Sequence, residues 1–494
     1  MSNIKNDVYV NYDAKLGAFP YQAEAFSAVK DLTYSAIFHE QGLGKTKIAI
    51  DLCLYWLKAK DIDSVLIVTK KQLIKNWIDE FKFHTFLKPD VLNTDKANNY
   101  FVFNGVSKVI LTNFETVVAE KERLALFLKC RNVAIIIDES AKLKNPEANI
   151  TKVFFDLSDS FQIKAIMTGT PVANRPYDIW SQIYFLDKGQ SLGTNFAEFK
   201  KICDLSNNLA SNDEARRIFE DSVGSIFSKI DRFTVRETKK SCGLALPEKQ
   251  YFSVYTMFSE KQSKIYTKII NDYCVEITKD GAIVLDNDEE CLKRLLRLNQ
   301  VASNPRLIDD SYSEISGKEQ QLDILLKTII DRNEKCIVWS SYIENINLFA
   351  KKYKEYGAVR IHGGMAIEDR NRSVELFKKN VETKVLFATP QAAKEGLTLT
   401  VANNAVFYDR TFNLDDYLQA QDRIHRISQK KKCNIYLLLI KNSIDDWISA
   451  LLTAKQNAAS LAQGDITKED YCYSADYTYA EIIKQLLGEK LKDE

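Results

Sequence analysis

Two stretches of this chain share one pattern: short apolar runs rich in branched residues alternate with longer runs whose apolar positions recur every three or four residues. From Ser35 to about Phe185, SAIFH precedes TKIAIDLCLYWLKA, and SVLIVTK precedes QLIKNWIDEFKFH. SKVILTN, NVAIIIDES and FQIKAIMTGT follow as further strands. Strand and helix periods in alternation predict a parallel sheet covered by helices on both faces. The same pattern returns later, with KCIVWSS, AVRIHG, TKVLFAT, NAVFYDR and CNIYLLLIK as strands. Between them ENINLFAKKYKEY, EDRNRSVELFKKN and LDDYLQAQDRIHR read as helices. The expected fold class is α/β, with two similar parallel-sheet lobes.

Between the lobes, from roughly residue 195 to 307, the period is helical in FAEFKKICDL, NDEARRIFEDSVGSIF and ECLKRLLRLNQVA. LPEKQYFSVYTMF alternates as a strand and begins the second lobe. The expected organisation is a first lobe over 1–194, a helical protrusion over 195–245, and a second lobe over 246–455 with a helical insertion at about 259–307. A helical tail with a Tyr-rich interruption, YCYSADYTY, occupies 456–494. Ser316-Gly317-Lys318 reads as a short hinge. No repeat of solenoid period is present.

Composition changes this picture little. The 494 residues suit about three units at roughly 150 residues each, and 45% hydrophobic with 27% charged residues is ordinary for a chain that buries a large core. A net charge of +1 means that any basic surface is local. Nine cysteines stand singly, without CxxC spacing, which argues against zinc ribbons and disulfide scaffolds. No basic-then-apolar leader pattern and no run of about 18 apolar residues is seen. The expectation is a reduced, cytoplasmic or nucleoid-associated protein, in the host cytoplasm if phage-encoded, with no membrane partner.

Chemistry concentrates at strand ends. HEQGLGKT follows a strand and opens a helix, the setting of a phosphate-binding loop. Gly42, Leu43 and Gly44 let backbone amides close on phosphates, Lys45 reaches the terminal phosphates, and the Thr46 hydroxyl can ligate magnesium. The first glycine of GxxxxGK[ST] is replaced by His39. IIIDES ends its strand in two acids: Asp138 is suited to hold the magnesium, and Glu139 to orient or deprotonate a water. TGTP at Thr168 to Pro171 offers hydroxyls at the same edge, as a link to nucleotide state or simply as a polar turn. Gln22 is either a reader of a base edge or solvated surface. QAQDRIHRISQ spaces Gln419, Asp422, Arg423 and Arg426 by one, three or four residues, predicting one helix face built to meet concentrated negative charge.

Taken in order, PYQAEA, EQGLGKT, LIVTKKQLIKNWIDEF, VILTNFETV, IIDESAKLKN, MTGTPVANRPYDIW, LPEKQ, IVWSSY, IHGG, the EGLTLT region and QAQDRIHRISQ resemble a Swi/Snf-type ATPase, a branch of the superfamily two helicase-like motors. The resemblance runs from about Phe19 to Trp447. It implies two RecA-like lobes with helical protrusions, ATP and Mg2+ in the cleft, and translocation along duplex or branched DNA. Carried over by motif, it implies that Gln22 contacts adenine, Gly42 to Thr46 the phosphates, and Asp138 with Glu139 the magnesium and the water. Arg423 and Arg426 would be arginine fingers, worth on the order of 10³ to 10⁵ in turnover in related phosphoryl transfer. TPQAAKEGLTL, where many members carry STRAGGLGINL, resembles instead the distant branch containing annealing helicases; the small size resembles bacterial or phage members.

Lys70, Asn113 and Lys394, at or just after predicted strand ends, are candidate nucleic-acid contacts, with solvated surface the alternative at each. The leading expectation is a DNA-dependent ATP hydrolase acting as a translocase. A strand-separating DNA or RNA helicase is the enzymatic alternative, and a nucleotide-binding scaffold without turnover the non-enzymatic one. A scaffold needs neither a water-activating acid nor an arginine finger.

Overall fold

Strands that bury both faces must be apolar at every position, and the unbroken runs of the sequence become such strands. The computed structural model describes residues 10–207, 209–243, 246–280, 289–392, 397–426, 428–479 and 482. Contacts divide the chain into two units: Met1–Ala173, Tyr177–Lys201 and Ser225–Leu244 in the first, and Asn174–Pro176, Ile202–Gly224 and Ala245–Glu494 in the second.

The first unit holds β1 (Tyr34–Ile37), β2 (Ser64–Thr69), β3 (Asp90–Val91), β4 (Val109–Asn113), β5 (Val133–Asp138), β6 (Ile163–Met167) and β7 (Thr234–Val235). They pair in the order β3-β4-β2-β5-β6-β1-β7, and every pair is parallel. All six residues of β2 are buried, as a parallel strand covered on both faces requires. The helix Lys45–Ala59 lays Ile48, Leu52 and Trp56 on one face of the sheet. The two-residue strands β3 and β7 are too short to carry a period, and the sequence pattern did not predict them.

The second unit holds β8 (Lys249–Thr256), β9 (Cys336–Trp339), β10 (Val359–Ile361), β11 (Val385–Ala388), β12 (Asn404–Phe407) and β13 (Cys433–Ile440). The order is β10-β11-β9-β12-β13-β8, again all parallel. Successive residues of a strand point to opposite faces, so Ile337 and Trp339 join one core with Leu386, Phe407 and Ile435, while Cys336 and Val338 join another with Phe387, Val406 and Leu438. Two α/β units on parallel sheets are the architecture expected above.

Three details differ from expectation. Residues 195–245 are shared between the units: the helix Asp213–Gly224 belongs to the second, where Tyr477 donates to Glu220 at 3.1 Å and Lys468 pairs with Asp221. YCYS of the Tyr-rich stretch lies in the helix Lys468–Ser474, with Tyr471 buried. Ser316-Gly317-Lys318 is no hinge. Ser316 caps the helix Gly317–Asp331 by accepting the Glu319 N–H, and a Cβ on Gly317 would stand 2.1 Å from the Met257 carbonyl oxygen. Glycine is there for close approach of two backbones, not for freedom.

Lys318, fully buried, places its ammonium 2.9 Å from Oδ1 and 2.8 Å from Oδ2 of Asp445, whose Oδ2 also accepts the Ile440 N–H at 2.8 Å. Removing one member of a buried pair strands the other charge, at a cost of about 3–5 kcal/mol. Lys318→Met is therefore expected to lower the urea midpoint of the second unit by a corresponding amount, followed by the fluorescence of its buried Trp339 and Trp447. A loss below about 1 kcal/mol, the worth of a surface pair, would show that the pair is not buried in solution.

Candidate active site

In an open parallel sheet, ligands gather outside the carboxyl ends of the strands. β5, β6 and β1 are neighbours, and their carboxyl ends lead directly into IIIDES, TGTP and HEQGLGKT. Residues far apart in sequence are thereby brought to one edge.

The turn after β1 is shaped by glycine. Gly42 and Gly44 have φ of 86° and 70°, the left-handed region that other residues adopt at a cost. Gly44 precedes the fifteen-residue helix Lys45–Ala59, whose N-terminus receives no side-chain cap. Its first amides and its dipole are thus directed at whatever sits in the turn. Lys45 donates from Nζ to the carbonyl oxygens of His39 at 2.8 Å and Glu40 at 3.3 Å. In this conformation the ammonium is hydrogen-bonded to neutral carbonyl oxygens.

Gln22 is buried, not solvated: Nε2 donates to the Leu43 carbonyl at 3.1 Å, and Oε1 accepts the Phe19 N–H at 2.9 Å. A Cβ at Gly44 would stand 2.3 Å from Nε2. The amide braces the turn in this conformation. His39 is buried, and burial is the main cause that lowers its pKa to about 4. A neutral imidazole adds no charge to the turn.

Asp138 ends β5. Its Oδ2 accepts from Trp77 Nε1 at 2.9 Å and Thr69 Oγ1 at 3.0 Å; Oδ1 has no hydrogen bond among the described residues. One oxygen is anchored while the other keeps its lone pairs, which suits a carboxylate that ligates. Glu139 takes the left-handed conformation, φ 56°, rare for a residue with a side chain and found where a site requires it. Lys70 lies 3.5 Å from Glu139 Oε2, so this candidate nucleic-acid contact stands beside the carboxylate pair.

Burial and the neighbouring Glu139 charge raise the Asp138 pKa, against the lowering effect of its Trp77 and Thr69 hydrogen bonds and Lys45. Burial also lowers Lys45 to about 8, although Glu139 and Asp138 both oppose the shift. TGTP closes the edge. A Cβ at Gly169 would meet Gln41 Cγ at 2.4 Å and Lys45 Nζ at 3.3 Å, so glycine lets this turn lie on the phosphate turn. Ser140 donates to Gln182 Oε1 at 2.8 Å, and Gln182 donates to the Pro171 carbonyl at 2.8 Å. That chain of bonds ties the IIIDES turn to TGTP.

Asn113 has a structural role: it is 6% exposed and caps a helix by accepting the Thr116 N–H at 2.9 Å. Lys394 lies outside the described residues. In the second unit the expected arginine helix stops early. It spans Leu414–Gln421; Asp422 and Arg423 follow in a turn and Arg426 in a bend, not on one helix face with Gln419. The carbonyls that would continue the helix are engaged elsewhere: Arg423 O accepts the Leu399 N–H at 2.9 Å, and Ile424 O accepts from Gln429 Nε2 at 2.9 Å. Arg423 is buried and donates to the Leu397 carbonyl; Arg426 donates to the Asp422 carbonyl at 3.2 Å and to Thr398 Oγ1 at 2.7 Å.

Several contributors had no sequence signal of their own. Thr69 and Trp77 act through contacts with a strand 61 or more residues away. Arg236 and Lys239 do so at greater range, donating to Phe38 O and to Glu40 of the phosphate turn.

A glycine-shaped turn before an uncapped helix, a lysine at its start and an acid pair two strands over have the geometry and charge that can receive a phosphate. Two family models match the chain: the SNF2-related domain over residues 32–307, which include this edge, and the helicase conserved C-terminal domain over 319–428. The chain belongs to the SNF2-related family. It is similar to an uncharacterized ATP-dependent helicase of Mycoplasma genitalium, 25% identical over 94% of this chain and 44% of the relative. It is equally similar to the ISWI chromatin-remodeling complex ATPase ISW1 of Saccharomyces cerevisiae, 25% identical over 91% of this chain and 40% of the relative. The chain thus spans less than half the length of these curated relatives. Among solved structures, the Sulfolobus solfataricus SWI2/SNF2 ATPase core in complex with dsDNA is 22% identical over 97% of this chain and 99% of that one, with a TM-score of 0.42.

Trp77 and Thr69 bond to the charged form of Asp138 and so hold its pKa down against burial. Trp77→Phe should move that pKa further up, as read by a carbon-13 titration of the labelled carboxyl. An unchanged or lower value would detach Trp77 from the site.

Proposed function

We propose that this chain is an ATP-hydrolysing motor that moves along duplex or branched DNA. The observation that carries the reading is the meeting of Lys45, Asp138 and Glu139 at one sheet edge, in a chain whose later half matches the helicase C-terminal model. The match to ATP-dependent helicases supports ATP as the nucleotide, and the similarity to a chromatin-remodeling ATPase supports DNA as the track.

The residues divide the work as follows. Backbone amides of Gly42 to Thr46 and the helix N-terminus receive the phosphates, and Lys45 transfers its ammonium from the His39 and Glu40 carbonyls to the terminal phosphates. The Thr46 hydroxyl and Asp138 Oδ1 are hard oxygen donors that fit magnesium, whose charge would offset that developing on the phosphates. Trp77 and Thr69 hold Asp138 in place, and Glu139 orients or deprotonates the water. Gln22 is the adenine contact, beside the turn that its amide braces. Arg423 and Arg426 are the arginine fingers of the second unit, and Lys70 and Lys394 remain candidate contacts to DNA.

Glu139→Gln is expected to keep ATP binding within about threefold while reducing hydrolysis by at least about 10²-fold, the usual size of an acid–base contribution. Unchanged turnover would remove the water-activating role. Arg426→Ala should slow DNA-stimulated turnover by about 10³-fold with ATP binding largely kept; normal rates would refute the finger role. The pH profile follows from the shifts. kcat/KM, which reports the free enzyme, should fall above about pH 8 as Lys45 loses its proton. It should also fall on the acid side at a higher pH than an ordinary aspartate titrates, because protonated Asp138 cannot ligate. A profile flat from pH 6 to 9 would contradict both assignments.

ATPase rates without nucleic acid and with single-stranded DNA, duplex DNA, branched DNA or RNA test the motor itself. Stimulation by duplex or branched DNA, without strand separation, is expected. Equal rates in all five would overturn the translocase reading, and duplex unwinding would replace it with a strand-separating one.

A further inference from the structure

Glu40 poses an electrostatic problem inside the phosphate turn. It lies two residues before Gly42, and its backbone carbonyl shares the Lys45 ammonium. A carboxylate so placed repels any anion that the turn receives.

The structure answers with a segment outside every motif read from the sequence. β7 pairs in parallel with β1, matching Ala36 with Thr234 and Ile37 with Val235. The pairing then continues along the phosphate turn: Phe38 donates its N–H to Val235 O at 2.9 Å, and Glu40 donates to Glu237 O at 2.8 Å. Arg236 fastens the same stretch by donating to Phe38 O at 2.7 Å. Lys239 engages both oxygens of the Glu40 carboxylate. Its backbone N–H donates to Oε2 at 2.8 Å, and its ammonium lies 3.3 Å from Oε1. The Lys239 side chain is 8% exposed and that of Glu40 31%, so the pair is partly shielded from the screening of water.

We propose that Lys239 is a positioning residue of the nucleotide site: it neutralises and holds Glu40 so that a polyphosphate can occupy the turn. The inference rests on the nucleotide reading above and deepens it. Lys239 acts through Glu40, and removing the lysine leaves an unmatched negative charge beside the phosphates. The penalty grows with the charge of the nucleotide, larger for ATP than for ADP and smallest for AMP. Lys239 follows β7, the last strand of the first unit, by four residues.

Calorimetric titration of ATP, ADP and AMP into the whole chain tests this. Lys239→Met should weaken ATP binding about tenfold, corresponding to ~1.4 kcal/mol, and affect AMP least. Lys239→Arg should restore the affinity, and so should Glu40→Gln added to Lys239→Met. Glu40→Gln alone, which leaves the segment's backbone pairing in place, should bind ATP more tightly than the wild type. Wild-type affinity in Lys239→Met, equal losses for all three nucleotides, or weakened ATP binding in Glu40→Gln would overturn the proposal. Failure of the wild-type chain to bind ATP would instead defeat the nucleotide reading on which it rests.

Discussion

The parallel pairing of β1, β6 and β5 is the constraint on which the site depends. Parallel strands all present their carboxyl ends to one edge, so three turns from three parts of the chain converge without any of them contacting another along the sequence. Close approach then sets the details. Gly169 admits the TGTP turn against Gln41 and Lys45, and Gly44 admits the Gln22 amide. Larger side chains at either place would push the turns apart and undo the convergence that the sheet provides.

What gathers there is electrostatically unbalanced by design. Burial makes the ionised forms of Asp138 and Lys45 costly, raising one pKa and lowering the other. Asp138 and Glu139 repel one another while Lys45 is attracted to both. Such opposed shifts are what acid–base and phosphate chemistry near neutral pH require. Their cost is offset by neighbours with fixed geometry: the Trp77 indole, the Thr69 hydroxyl and the backbone carbonyls around Lys45. The left-handed backbone at Glu139 is part of the same arrangement.

Both sheets were legible in the sequence because strands buried on two faces cannot tolerate polar positions; SVLIVT and VAIIID admit little else. The place of the glycine-rich turn and of the acid pair at strand ends was legible for a related reason, since positive-φ glycines and the end of an apolar strand fix residue types at short spacing. What was not legible depended on partners distant in the chain. The arginine segment has helical spacing, but Leu399 and Gln429 take the carbonyls that a longer helix would use. Gly317 looked like a hinge, but its lack of a side chain serves the Met257 backbone. Asn113 caps a helix, and Lys239 gains its meaning only from a parallel pairing between β1 and a strand of two residues.

On the proposed function, the turn from Gly42 to Thr46 binds ATP through Lys45. The most direct measurement is the stoichiometry and affinity of ATP binding to the whole chain by calorimetry, with and without magnesium, beside the Lys45→Ala variant. One ATP per chain, bound more tightly with magnesium, is expected, with binding lost in Lys45→Ala. Absence of binding in the wild-type chain, or equal affinity in Lys45→Ala, would contradict it.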